Sequence, residues 1–249
     1  MSQQSARVAG AGNVTIQITG DANSVVLGAA QLVLHRRHDH RRDPRRLLEL
    51  LVTKLQAVPF VGREEEPAGL LDWLCAPAGV AVRCLTGGAG SGKTRLALEL
   101  CARAAEQGWD AGFAERDELL ALAGARIHFA SRVLMVVDDA QATAPVLRKV
   151  LVKLLDRAES PDRLRVLLLE RQASLQEGWL AELSRARSDR DYGLHELFDA
   201  AGPVPLPALA EGDTVAALVR GAADQAVRLP DARPGLDAAT LADRVLGEA

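Results

Sequence analysis

The sequence predicts an α/β fold, a parallel sheet flanked by helices, and three observations carry that expectation. A glycine-rich stretch, Thr86-Gly87-Gly88-Ala89-Gly90-Ser91-Gly92-Lys93-Thr94, lies between an apolar run and an amphipathic one. Two other apolar runs, residues 133–137 and 166–169, are continuous rather than alternating, as strands buried on both faces are. Segments at helical spacing separate these runs, the pattern of parallel strands joined by crossovers.

Bulk properties narrow the class. A chain of 249 residues makes one large or two small domains, and 48% hydrophobic with 25% charged residues is ordinary for a globular protein. A net charge of −3 creates no general field toward nucleic acid or an anionic membrane, so neither is expected as a partner. Cys75, Cys84 and Cys101 form an odd set, two of them inside apolar periodic segments, and read as reduced core thiols of a cytoplasmic protein. The first residues lack an apolar signal core, and no apolar run approaches the ~20 residues that span a bilayer.

The first 35 residues differ from the rest. Val14-Thr15-Ile16-Gln17-Ile18-Thr19 alternates branched apolar with polar residues, Gly20-Asp21-Ala22-Asn23 is turn chemistry, and Val25-Val26-Leu27 and Leu32-Val33-Leu34 follow. This predicts a β-hairpin or arch. Nearly uncharged, proline-free and rich in Asn, Gln and branched residues, it also has the composition of a stacking cross-β segment. A hairpin added to a sheet edge and a disordered tail are the plainer alternatives. Residues 35–46 are a basic linker. Its histidines, His35, His38 and His40, have no cysteine nearby, and the arginines around them would repel a metal ion. Leu47, Leu48, Leu51, Val52 and Leu55 keep helical spacing, and Pro59 ends that helix.

Phe60-Val61-Gly62-Arg63-Glu64-Glu65-Glu66 leads into a helix whose first turn is acidic, as its dipole favours. Ala81-Val82-Arg83-Cys84-Leu85 predicts a buried strand. The glycine-rich stretch after it fits G-x-x-x-x-G-K-[ST], the phosphate-binding P-loop. Glycines 87, 88, 90 and 92 let successive N–H groups curl toward an anion, with Ala89 and Ser91 between them. Lys93 would reach the β- and γ-phosphates, and Thr94 would ligate Mg²⁺. Leu96, Leu100 and Ala104 continue as a helix whose positive end faces the same anion.

Residues 109–114 predict a short strand, and residues 133–137 a stronger one ending in Asp138-Asp139, a Walker B pattern. Asp138 would hold Mg²⁺, mainly through water, and Asp139 would polarise the attacking water. The plainer alternative is that the two aspartates cap the next turn. Leu147, Val150, Leu151, Leu154 and Leu155 trace a helix face, and Arg165-Val166-Leu167-Leu168-Leu169-Glu170-Arg171 a further strand. At its end Arg171 could sense a γ-phosphate. Residues 184–203 predict a long loop with a short helix, and residues 204–209 an extended segment. Asp213 and Asp237 predict caps for two last helices, the first carrying Val215, Leu218, Val219 and Ala222.

Two resemblances follow from these residues. Gly12-Asn13-Val14, Ile16-Gln17-Ile18 and Gly20-Asp21 with Asn23 look like the short amyloid-signalling motifs of some bacterial and fungal NLR-like proteins. Phe60-Val61-Gly62-Arg63-Glu64, the P-loop with Arg95-Leu96-Ala97, the strand ending in Asp138-Asp139, and Val166–Arg171 occur in order. Over about residues 58–230 they resemble the STAND class of AAA+-related ATPases, which contains the NB-ARC and NACHT modules. The resemblance implies that residues 165–170 lie between the P-loop strand and the Walker B strand. It implies that Arg171 senses the γ-phosphate, and that Val61, Gly62 and Arg63 lie against the adenine and ribose. It further implies that ATP holds an open, oligomeric state and ADP a closed monomer. Pro67 departs from the family, which continues its helix there with an apolar residue. Family members also continue into a complete helical lid, a winged helix and sensor repeats; this sequence stops around the lid, so it is a fragment or its sensor lies elsewhere.

The expected organisation is a β-prone segment at 1–35, a basic linker and helix at 36–57, a nucleotide-binding domain at 58–209 and a partial helical lid at 210–249. The expected site comprises Lys93, Asp139 and Arg171 for chemistry. Val61, Gly62, Arg63, Gly87, Gly88, Ala89, Gly90, Ser91, Gly92, Lys93, Thr94 and Arg95 would bind nucleotide, and Thr94 and Asp138 would bind Mg²⁺. The expected function is a slowly turning ATPase switch, binding ATP or ADP, that forms a homo-oligomer with ATP. It would signal through its first segment to an effector with a matching β-motif, as in bacterial defence. A passive self-assembling scaffold and a STAND-type transcription regulator are the alternatives, the latter without a helix-turn-helix in residues 1–58.

Overall fold

The computed structural model describes residues 58–249 except 59, 64, 125, 128–131, 156–162, 209–212, 230–231, 233–234, 236 and 248–249; before 58 it describes only 5–6, 16–17, 29–30 and 34. The expected linker, the helix at 47–55 and most of the arch lie outside the described residues. Within them, β1 (Ser5–Ala6) pairs antiparallel with β2 (Ile16–Gln17). A third short strand, β3 (Ala29–Ala30), pairs parallel with residues 126–127. Leu34 is buried in the core of the main domain.

From there the chain alternates. Helix α1 (Glu65–Cys75) precedes β4 (Val80–Thr86), α2 (Lys93–Glu106), β5 (Asp110–Phe113), α3 (Arg116–Gly124), β6 (Arg126–Ile127) and β7 (Val133–Asp138). Next come α4 (Ala140–Leu154), β8 (Leu164–Glu170), α5 (Gly178–Ser184), a 3-10 helix (Asp189–Leu197), β9 (Val204–Pro205), α6 (Asp213–Ala226) and α7 (Ala238–Leu246). The main sheet is parallel and five-stranded, in the order β5-β7-β8-β4-β9. Strand β8 therefore lies between the P-loop strand β4 and β7, the placement that the STAND resemblance implies. Parallel register brings the C-terminal ends of β4, β7 and β8 to one edge: Cys84 pairs with Leu168, and Asp138 with Leu169.

Alternation along the strands divides the core into two faces. Leu85, Phe113, Leu134, Val136, Leu167 and Leu169 pack with α1 and α2. Val82, Met135, Val137, Val166 and Leu168 pack with α3, α4 and α5. Every residue of β8 is buried, as its unbroken apolar run requires. Helices α3 and α5, of 9 and 7 residues, are too short to show a clear period in sequence, and burial of Leu119, Leu122, Leu180 and Leu183 holds them. Pro67 falls at the third residue of α1 and is buried, where a missing N–H disrupts no helical bond. The expected caps divide: Asp237 accepts from the Thr240 N–H at 2.8 Å, whereas Asp213 is the first residue of α6 rather than a residue before it. Helices α6 and α7 pack on each other, and Ala223, Ala226 and Ala242 on them are buried. Val215, placed by its spacing on the apolar face of α6, is exposed. No helix among the described residues is long and apolar enough to cross a membrane.

Candidate functional site

The P-loop springs from the end of β4 and closes into α2. Gly90 and Gly92 adopt φ of 77° and 90°, a left-handed backbone that side chains with a Cβ disfavour. Gly87 is glycine for a different reason. A Cβ there would stand 2.7 Å from the Leu206 carbonyl oxygen and 2.7 Å from Ser91 Oγ. The residues just after β9 press on the loop at this point, with the Leu206 N–H donating to the Thr86 carbonyl at 2.6 Å. A Cβ on Gly88 would meet nothing within 4 Å, so the protein leaves that position unobstructed.

Lys93 folds back onto the loop, its ammonium donating to the carbonyls of Gly87 at 2.7 Å and Gly88 at 3.1 Å. Thr94, one residue on, donates its hydroxyl to Asp138 Oδ2 at 3.0 Å. Residues 44 positions apart are thus joined by the parallel sheet. A hydroxyl and a carboxylate so placed beside an anion-binding loop are the donor set that Mg²⁺ takes. A glycine-lined loop, an ammonium and this pair together fit a nucleotide phosphate with its metal.

Asp139 is exposed and left-handed, with φ 54° and ψ 53°. It is the residue before α4, yet its carboxylate makes no capping bond. Asp138 meets both readings, with Oδ2 accepting from the Thr94 hydroxyl and Oδ1 from the Asp139 N–H at 3.2 Å.

The segment before α1 is fastened to the loop by two arginines. Arg63 is 5% exposed and donates to the Ser91 carbonyl at 2.9 Å, to the Pro207 carbonyl, and to Glu66 Oε1 at 2.7 Å. Arg95 stacks over Phe60 at 5.2 Å and pairs with Glu99. Val61 is half-buried, and Gly62 is exposed with φ 74°. A cleft of about 470 Å³ opens here, lined by Gly62, Arg63, Glu65 and Glu66. The segment expected to touch adenine and ribose therefore borders an open cleft, with its arginine turned inward onto backbone carbonyls. Ser91 is buried beneath the loop, and Ala89 is exposed at its tip.

Arg171 is exposed, and its side chain makes no hydrogen bond or ion pair among the described residues. Its neighbour Glu170 is the residue that sequence reasoning passed over. Glu170 is 8% exposed, its carbonyl accepts from the Gly87 N–H at 3.2 Å, and its carboxylate binds the Gln141 and Arg171 N–H groups. The available signal was a carboxylate directly after the apolar run of residues 166–169, beside the P-loop strand. Its charge adds to burial in raising the Cys84 thiol to about 12 from an ordinary 9.0, with burial the larger cause.

No protein-family model matches the sequence, and no curated protein matches it. Among solved structures the chain is similar to a DNA replication initiation factor, at 14% identity and TM-score 0.43 over 76% of this chain and 58% of that one. It is also similar to AMPPCP-bound DnaA from Aquifex aeolicus, at 13% identity and TM-score 0.43 over 76% of this chain and 59% of that one. A third is the Aeropyrum pernix ORC1 protein in complex with DNA, at 14% identity and TM-score 0.39 over 72% and 52%. The chain thus spans 58% and 59% of the length of the first two. Its own strand order, its glycine-lined loop and the Thr94–Asp138 pair give it the fold of a P-loop NTPase.

Proposed function

We propose that this chain is an ATP-binding switch of the STAND, NLR-like kind with slow hydrolysis. The observation that carries the reading is the Thr94 hydroxyl 3.0 Å from Asp138, beside the loop onto which Lys93 folds. In this reading Lys93 and the loop N–H groups hold the triphosphate, and Thr94 and Asp138 hold Mg²⁺, which offsets phosphate charge when bound. Asp139 orients water, and Arg171 reaches the γ-phosphate from the end of β8. The cleft beside Gly62 takes the nucleoside end.

Residues 58–209 act as the nucleotide domain, 210–249 as the start of a lid, and 1–35 as the output segment joined by the linker at 36–57. Arg63 supports the switch reading. It ties the Ser91 carbonyl in the loop to the Pro207 carbonyl, six residues before α6, so a change in the loop reaches the helical pair. ATP-driven oligomerisation then gathers output segments, and their raised local concentration favours strand pairing with one another and with an effector. Bacterial defence is the setting to which the resemblance points.

Lys93→Ala tests this. Losing a charge-assisted contact of about 1.5–3 kcal/mol should weaken binding of a fluorescent ATP analogue about 10–100-fold. It should also leave the chain monomeric by light scattering in ATP, where the unsubstituted chain associates. Equal affinity in the two chains, or no nucleotide binding by the unsubstituted one, overturns the reading.

A further inference from the structure

A helix preceded by aspartate ordinarily has that aspartate accept from its second or third N–H. Helix α4 does otherwise. Its second N–H, from Gln141, donates to Glu170 Oε2 at 3.1 Å across the sheet edge. The other oxygen, Oε1, accepts from the Arg171 N–H at 2.7 Å. Glu170 also offers its carbonyl to Gly87. One residue therefore touches the start of α4, the end of β8 and the first glycine of the P-loop.

A mostly buried carboxylate needs compensation. Two N–H donors and the positive end of α4 supply it. The consequence falls on Asp139. With the amide already taken, Asp139 keeps its carboxylate exposed, in a left-handed conformation that costs a non-glycine residue on the order of 1 kcal/mol. Its own N–H is held by Asp138 Oδ1 at 3.2 Å, which ties that conformation to the residue beside Thr94.

We propose that Glu170 is a positioning residue that caps α4 in place of Asp139 and so leaves the Asp139 carboxylate free for the attacking water. The inference rests on the hydrolytic reading above. In the step it serves, the water oxygen bonds to the γ-phosphorus and the bond to the β–γ bridging oxygen breaks. ADP leaves with that electron pair, and the proton shed by water passes to Asp139. Without Glu170 the Gln141 N–H is unpartnered, and the carboxylate of Asp139, the residue before the helix, is then drawn to turn back and cap it.

The test uses the full chain and four variants: Glu170→Ala, Glu170→Gln, Asp139→Asn and the double variant Asp139→Asn with Glu170→Ala. Glu170→Ala should lower kcat at least about 10-fold while KM and ATP-analogue affinity stay within about threefold, the split expected when binding is intact. Glu170→Gln, with one acceptor oxygen left, should recover part of kcat. In the Asp139→Asn background, Glu170→Ala should change kcat less than about twofold, because Glu170 acts through Asp139. Without nucleotide, hydrogen exchange at the Gln141 and Arg171 amides should rise at least about 10-fold in Glu170→Ala. Unchanged exchange at Gln141, unchanged kcat, or an undiminished effect in the Asp139→Asn background overturns the proposal and leaves nucleotide binding standing. An unsubstituted chain that binds ATP but does not turn it over overturns the hydrolytic reading and this proposal together; one that binds no ATP overturns the switch as well.

Discussion

Single residues in the loop do separable jobs, and the two leading glycines show it. A Cβ on Gly87 would collide with the Leu206 backbone at 2.7 Å, and backbone cannot rotate away. Gly87→Ala should therefore cost about 1–3 kcal/mol, read as a drop of several degrees in the unfolding midpoint. A Cβ on Gly88 meets nothing within 4 Å of the protein, and it would sit on the loop proposed to hold the phosphates. Gly88→Ala should leave the midpoint within about a degree and still weaken binding of the ATP analogue. Equal midpoints for the two variants would show that Leu206, just after β9, does not press on the loop. The motif fixes glycine at 87 and leaves 88 open, but it does not record what lies against either position.

At the scale of elements, charged side chains stitch helices to strands in places that periodicity reads as core. Arg165 is fully buried on β8 and donates to the carbonyls of Trp73 at 3.2 Å, Ala76 at 2.6 Å, Gly79 at 3.4 Å and Leu164 at 3.1 Å. It caps the C-terminal end of α1 from another layer, and burial lowers its pKa from 12.5 to about 10, still charged at neutral pH. Arg165→Met should cost about 3 kcal/mol in denaturant unfolding, since it fills the volume but removes a donor from each of these buried carbonyls, of which Trp73 and Gly79 keep a backbone N–H partner. Asp191 ties the 3-10 helix to α4 through Arg148. Burial raises its pKa, but the Arg187 and Ser188 N–H groups, the Ser188 hydroxyl and Arg148 outweigh burial and hold it below its ordinary 3.8. A depressed carboxylate contributes stability above its unfolded value and loses it as pH falls through the folded one. The gap in unfolding midpoint between the parent and Asp191→Asn should thus be full at neutral pH and shrink below pH 3.8. A gap that widens in acid would contradict the sign.

Across the whole molecule, the three cysteines report on how complete the two faces of the core are. Cys84 and Cys101 are buried on opposite faces, and Cys75 is exposed. Burial lifts Cys101, and burial with the nearby Glu170 charge lifts Cys84, each to about 12. A thiol reagent at pH 8 should therefore titrate one thiol quickly and the other two only on unfolding. Because the unfolded thiols ionise from about 9.0, stability should decline as pH rises from there toward 12. Fast reaction of all three in native buffer would mean the sheet faces open readily.

Much of this was legible in the chain itself. The order of apolar runs, the glycine spacing before Lys93, and the aspartates ending a five-residue apolar run are local patterns. Local pattern determines which segments are strands, where the loop curls, and that Thr94 and Asp138 end near strand tips. Tertiary structure alone decided the partners. Arg63 reaches Pro207 across 144 residues and Arg83 reaches Asp199 across 116. Glu170 caps a helix that begins 30 positions earlier, at Ala140. Hydrophobic period records whether a residue is buried, not which neighbour it meets. That neighbour is set by the strand order, which brings three strand ends to one edge and places the Glu170 carboxylate on the second N–H of α4.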